Sequence, residues 1–465
     1  MTPFKSQNMS LNSFVTLKGE EIARSIAVQA RAAKEEPVVE MNPILLKPVS
    51  DFQSQVIIHG KAVGNVDASD YFFSENWRST KWNAIGSAIN KLASEFDVVV
   101  AEGAGSCAEP NLMNHDIVNL KVAELLDADV FLVCDIDKGG VIASLLGTFH
   151  IIKQFSPHSV ERIKGVIINK FRGKRAILKE AINYIEKETG VRVVSVLPYI
   201  HDLHFEEEDR VKAKTATNPE IDVAVIYLPH ISNASDFNPL SLEENVQVRY
   251  VSFPDQLGCP DLIVLPGTKA TIWDLNYLRK IGWEETLNTC QGKIPIMGIC
   301  GGLEMLGNYL FDLEGFESSI NQARGLRFLD FDVEFQKDKI VSQVSYEPAF
   351  NSPFLEAGPV EGYEIHRGVI DYKCESPLFV SNGKRDGVLS ENRQVFGTFI
   401  HDIFKNSLFT RVLVNALREK KSLNPLNSPL IDYQSYCEAQ FDKLGKIIES
   451  ESQFYPKKSF LSCPL

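Results

Sequence analysis

The chain has 465 residues, 44% of them hydrophobic and 23% charged, with a formal net charge of -13. That length exceeds one ordinary core and predicts two domains, while the balanced composition excludes disorder and a fibrous repeat. The acidic balance excludes a nucleic-acid backbone as the main partner, because phosphate binding needs concentrated Lys and Arg.

In chain order, the opening "PFKSQNMSLNS" is a dense polar run with the look of a site loop. Apolar, β-rich runs then recur as "FDVVVAEGAG", "ADVFLVCDID", "IKGVIINKF" and "VRVVSVLPYI". Helical patterns separate them; Ile85, Ile89, Leu92 and Phe96 form one stripe of an amphipathic helix. Continuous apolar strands are buried on both faces, so the fold class is α/β with doubly wound parallel sheets. Ligands in such sheets sit at the carboxyl ends of strands, which places "EGAGS" and "DIDKGG" at a site edge.

The charged segment His204 to Glu220 lacks apolar periodicity and reads as a linker between domains at 1–203 and 221–450. The second series runs "IDVAVIYLP", "VQVRYVSFP", "PDLIVLPG", "IPIMGICGG" and "VFGTFIHDIF". Between Phe311 and Val360 the pattern is irregular and predicts short strands and loops. Residues 451–465 read as a loosely held tail. The eight cysteines form no C-x-x-C pair, and no apolar run reaches the roughly 18 residues of a membrane span. The expectation is a cytoplasmic protein with no membrane or nucleic-acid partner; a homo-oligomer is left open.

"MGICGG" places Cys300 in G-x-C-x-G directly after an apolar strand, the thiol form of a nucleophile elbow. Flanking glycines permit the tight strand-to-helix turn, and a helix N-terminus favours thiolate. A base is supplied by "GTFIHDIF", with His401 at the end of another β-rich run. In "VLPGTKAT" the N–H of Gly267, with that of Gly301, suits an oxyanion hole. These residues resemble the triad-type glutamine amidotransferases, in which such a Cys hydrolyses the side-chain amide of glutamine. That family usually carries His-x-Glu, whereas this chain has Ile403 there, so the group orienting His401 is open. The departure resembles the branch of the family that serves cobalamin biosynthesis. "EGYEIHRG" is similar to a motif of that branch, and makes Glu364 and His366 candidates for the glutamine pocket; His366 equally suits a structural role.

Across the whole chain, "PFKSQNMSLNS", "MNPILLKP", "EGAGS", "DIDKGG", "GVIINKFRG" and "HISNASDFNPL" resemble the cobyric acid synthase family, in this order. The resemblance implies a synthase domain related to dethiobiotin synthetase and other P-loop proteins, followed by the amidotransferase. It implies ATP- and glutamine-dependent amidation of the b, d, e and g carboxylates of adenosylcobyrinic acid a,c-diamide. Activating a carboxylate as an acyl phosphate requires a metal and cations, so Glu102 is the expected Mg²⁺ ligand, Asp135 a weaker candidate, and Lys5 a contact for phosphate or carboxylate. Gln7, Asn8, Ser10 and Asn12 suit a substrate decorated with carboxylates and amides.

A P-loop reads G-x-x-x-x-G-K-[ST], and none of the five Gly-Lys pairs here is followed by Ser or Thr. In the family that motif precedes the equivalent of "PFKSQN", so the expectation is a synthase domain lacking its first strand and P-loop. A second reading follows, a glutaminase-only remnant or half of a split enzyme that hydrolyses glutamine without amidating a corrinoid.

Overall fold

The computed structural model describes residues 1–49, 52–206, 218–373 and 376–451. Most of the linker and all but the first residue of the tail lie outside these ranges.

Every apolar run named above is a strand. In the first half, Val193–Pro198, Ile163–Phe171 and Val130–Asp135 form a parallel sheet in that order. Thr2–Phe4 pairs parallel with Val99–Ala101 in a separate two-stranded piece. Val100 and Val133, on these two pieces, are 53% and 63% exposed, so here the continuous apolar pattern does not mean burial on both faces. A mixed sheet, not foreseen from the sequence, joins Gln7–Met9, Ile44–Pro48, Gln53–Ile58 and Lys61–Asp67. The polar opening run is therefore strand as well as loop. The helix Glu75–Glu95 covers this half through Ala84, Ile85, Ala88, Ile89 and Leu92, all buried at helical spacing. It stops where Phe96 turns to extended backbone.

The second half is built on a six-stranded sheet in the order Val246–Val251, Ile221–Ile226, Leu262–Leu265, Ile296–Ile299, Val395–Thr398, Val388–Leu389. All neighbours are parallel except the last pair. The central strands Leu262–Leu265 and Ile296–Ile299 are buried at every residue, as expected of a sheet covered on both faces.

Between Phe311 and Val360 the expected short strands and loops hold as far as Asp330, with Gln322–Arg324 a three-residue strand, and are corrected beyond it. A strand of 18 residues, Phe331–Pro348, pairs antiparallel with the 13-residue strand Val360–Tyr372. Its alternation is legible at Phe331, Val333 and Phe335, but the polar stretch Gln336 to Lys339 sits at a register shift and hides the continuation. This hairpin reaches the first half, where Tyr363 and Ile365 join a core containing Phe14, Ile22 and Ile26. The helix Tyr433–Glu451 also returns there, with Phe441 stacked on Phe205 at 5.2 Å. The two halves are interlocked by both elements.

Candidate active site

Two clusters emerge. The first is centred on Cys300, between the strand Ile296–Ile299 and the helix Gly301–Leu306. Cys300 has φ 51° and ψ −113°, a strained backbone for a residue with a Cβ. The turn closes because its neighbours are glycines: a Cβ on Gly302 would lie 2.0 Å from the Leu265 carbonyl oxygen, and one on Gly298 2.6 Å from Leu303. Cys300 is buried, and its Sγ lies 3.6 Å from the Ile365 carbonyl oxygen.

His401 follows the adjacent strand Val395–Thr398 and is 1% exposed. The Cys300 N–H donates to the Thr398 carbonyl at 2.9 Å, which sets the elbow beside the chain leading to His401, and His401 Nδ1 lies 2.7 Å from Asp236 Oδ2. Asn233 Nδ2 is 3.3 Å from the same nitrogen, and the Tyr363 ring stacks on the imidazole at 5.3 Å. Burial alone would lower the His401 pKa, but the Asp236 carboxylate and Cys300 outweigh it and push it up to about 10. At neutral pH the ring is therefore an imidazolium, the partner that a reactive thiolate needs.

Gly267 lies against His401, and Gly301, next in the chain to Cys300, lies against Thr268. A Cβ on Gly267 would lie 3.0 Å from His401 Cε1, and one on Gly301 3.2 Å from the Thr268 nitrogen. Glu364 and His366 flank Ile365 on the strand Val360–Tyr372. Glu364 accepts a hydrogen bond from the Tyr346 hydroxyl at 3.1 Å, and burial raises its pKa. His366 is held by the Gly368 carbonyl at 2.7 Å and by stacking on Phe399 at 3.8 Å. Burial pulls its pKa down to about 4, so it is neutral near pH 7.

Sequence reasoning missed Asp236, Asn233 and Tyr363, and also a pair of acids, Glu304 buried and Glu317 half-buried. Glu304, one turn beyond Cys300, accepts from Thr271 Oγ1 at 2.7 Å, while Glu317 accepts from the Thr271 backbone N–H at 2.6 Å. Burial and the neighbouring Glu317 raise the Glu304 pKa to about 8; burial raises that of Glu317 to about 7. Glu304 lies two residues beyond the motif that identified Cys300, and its spacing of four residues from Cys300 was the available signal.

The second cluster lies in the first half. Lys5 Nζ is 3.4 Å from Glu102 Oε1, and Gln29 Nε2 donates to Glu102 Oε2 at 2.6 Å. Glu102 remains 46% exposed at the end of its strand. Asp135 sits on the other parallel piece, where Lys170 donates to it at 2.8 Å and lowers its pKa. Among the described residues no three His, Cys, Asp or Glu side chains gather as a metal cage. The accessible carboxylate of Glu102 does fit Mg²⁺, which typically takes one or two protein carboxylates and completes its shell with phosphate and water. The polar opening residues bind their own chain: the Tyr71 hydroxyl donates to Gln7, Asn8 Nδ2 donates to Ser25 Oγ at 3.2 Å, and the Asn12 N–H donates to Ser10 Oγ at 3.0 Å.

Comparison with known proteins adds to this geometry. Residues 222–409 match the CobB/CobQ-like glutamine amidotransferase domain family, and residues 20–207 match an AAA domain family. A protein named cobyric acid synthase from Photorhabdus laumondii is 42% identical over 463 residues, covering 96% of this chain and 88% of that one. Proteins of the same name from Yersinia enterocolitica and Clostridium botulinum (strain Kyoto) are each 43% identical, covering 95% and 96% of this chain and 88% and 90% of their own. The described residues contain no helix long and apolar enough to cross a membrane.

Proposed function

Because the chain belongs to the cobyric acid synthase family, we propose that Cys300 and His401 release ammonia from glutamine for the amidation of the corrinoid carboxylates b, d, e and g of adenosylcobyrinic acid a,c-diamide. The enzyme is a glutamine-dependent carbon–nitrogen ligase of cobalamin biosynthesis. The relatives align along both halves, which favours amidation over the glutaminase-only reading.

The observation that carries the glutaminase chemistry is the strained elbow at Cys300, with Cys300 and His401 following the two paired strands Ile296–Ile299 and Val395–Thr398. The Cys300 thiolate attacks the side-chain carboxamide carbon of glutamine, and the N–H groups of Gly267 and Gly301 take the oxyanion. His401 protonates the departing nitrogen, and ammonia leaves. His401 then accepts a proton from the water that hydrolyses the thioester, releasing glutamate. Glu364 and His366 border the pocket.

In the first half, ATP phosphorylates a corrinoid carboxylate and ammonia displaces the phosphate. Lys5 meets the phosphate or the carboxylate, and Glu102 would hold Mg²⁺, with Asp135 a second carboxylate on the neighbouring sheet piece. The metal supplies screening of the triphosphate charge. Gln7, Asn8, Ser10 and Asn12 shape the loop beside this site.

The test is incubation with amide-¹⁵N glutamine, ATP and the a,c-diamide, followed by mass spectrometry. The reading predicts ¹⁵N at the b, d, e and g amides. Released ¹⁵N-ammonia with an unlabelled corrinoid would contradict it and leave the glutaminase-only alternative.

A further inference from the structure

The group that orients His401 was left open by the sequence, because Ile403 stands where the triad-type enzymes carry an acid. Ile403 is itself fully buried. The acid nearest in sequence, Asp402, is turned away: both its oxygens accept from Arg24, at 2.7 and 2.8 Å. Asp236 takes the open place instead. It sits in the short turn Ala234–Phe237, after the strand Ile221–Ile226, and is 1% exposed. Its Oδ2 faces His401 Nδ1 at 2.7 Å, while its Oδ1 accepts the Asp402 N–H at 3.0 Å. Among the described residues its ion pair is with His401. A buried carboxylate with that one counter-charge costs several kcal/mol unless the imidazole is protonated, so each group holds the charge of the other.

The turn is braced from the other half of the molecule. Asn233, with φ 53° and ψ 40°, precedes it and accepts the Ser13 N–H at 2.8 Å. The Tyr363 hydroxyl donates to the Ser13 carbonyl at 2.9 Å while the Tyr363 ring lies on His401. Both ends of one first-half residue are thus held by side chains that touch the imidazole.

We propose that Asp236 is the positioning residue of His401, and that Asn233 and Tyr363, anchored on Ser13, brace it from the first half. The triad then runs Asp236, Cys300, His401 in chain order, with the acid on a different element from the histidine. The carboxylate fixes the proton on Nδ1, aims the other ring nitrogen at Cys300 and stabilises the imidazolium. This rests on Cys300 and His401 being the nucleophile and base.

The test is glutamine hydrolysis by the full chain, in wild type, Asp236→Asn, Asp236→Glu and Cys300→Ala. Asn keeps the size and can still accept from the Asp402 N–H, but loses the charge. We expect kcat for Asp236→Asn to fall roughly 10²- to 10⁴-fold with KM within about threefold, and Glu to restore part of it. A folded Asp236→Asn with kcat within threefold of wild type would overturn the proposal.

Should Asp236→Asn fail to fold, the protonation of the wild-type His401 ring, followed by NMR across pH, decides. The groups facing His401 are Asp236, Cys300 and Tyr363, with Glu364 and His366 at longer range. An imidazole paired with Asp236 keeps its proton well above the ordinary histidine range; a ring that loses its proton near the ordinary value would overturn the proposal. Activity retained in Cys300→Ala would instead defeat the underlying reading.

Discussion

Arg24 grips Asp402, the residue that follows His401, across the two halves of the molecule. Its Nη1 and Nη2 donate to the two carboxylate oxygens at 2.8 and 2.7 Å, while its Nε donates to Glu206 at 2.5 Å. Arg24 opens the first-half helix Arg24–Ala32 and is 3% exposed. The planar guanidinium therefore ties three segments together beside His401.

Replacing it would leave buried carboxylates without a counter-charge. Arg24→Ala is expected to cost about 3–5 kcal/mol of stability. Arg24→Lys keeps the charge but not the fork, and is expected to fall between Ala and wild type. Denaturant titration measures both, and equal stability of Ala and wild type would contradict this account.

The same pair sets the response to acid. Burial alone would raise the Glu206 pKa, but Arg24 and Lys405 hold it down at about 2, and Asp402 well below its usual value. A depressed folded pKa contributes stability that is present above the unfolded value and lost as pH falls toward the folded one. The thermal midpoint of the wild type is expected to drop as pH falls below about 4.5, and Arg24→Ala to show a shallower drop. Parallel profiles would show that these acids do not carry the acid response.

Glu304 predicts the opposite dependence. Burial and Glu317 raise its folded pKa to about 8. Its unfolded state therefore loses the proton first, and stability declines as pH rises from about 4.5 through that value, by up to about 1.4 kcal/mol per pH unit. Glu304→Gln, which can still accept from Thr271, is expected to match wild type near pH 4.5 and exceed it near pH 9. Thermal melts at the two pH values check this, and an equal offset at both would contradict it.

The parallel strands and the elbow were legible because their signals are local. "IPIMGICGG" carries the strand, Cys300 and its flanking glycines within one run, and "VFGTFIHDIF" carries a strand and His401. Asp236 stands inside "HISNASDFNPL", a run that carried the family resemblance, but its role was not legible because it meets His401 from 165 residues away. The long hairpin was masked where its polar stretch meets a register shift, and residues at the start of the chain gave no hint that Ser13 would brace the second half. Contacts between distant segments follow from packing, which no local window contains.

The most direct measurement is ammonia release from glutamine by wild type and Cys300→Ala, compared at equal concentrations of folded protein. The account predicts a steady release by the wild type and a loss of roughly 10³-fold or more in the variant. Release by Cys300→Ala at the wild-type rate would contradict it and remove Cys300 as the nucleophile.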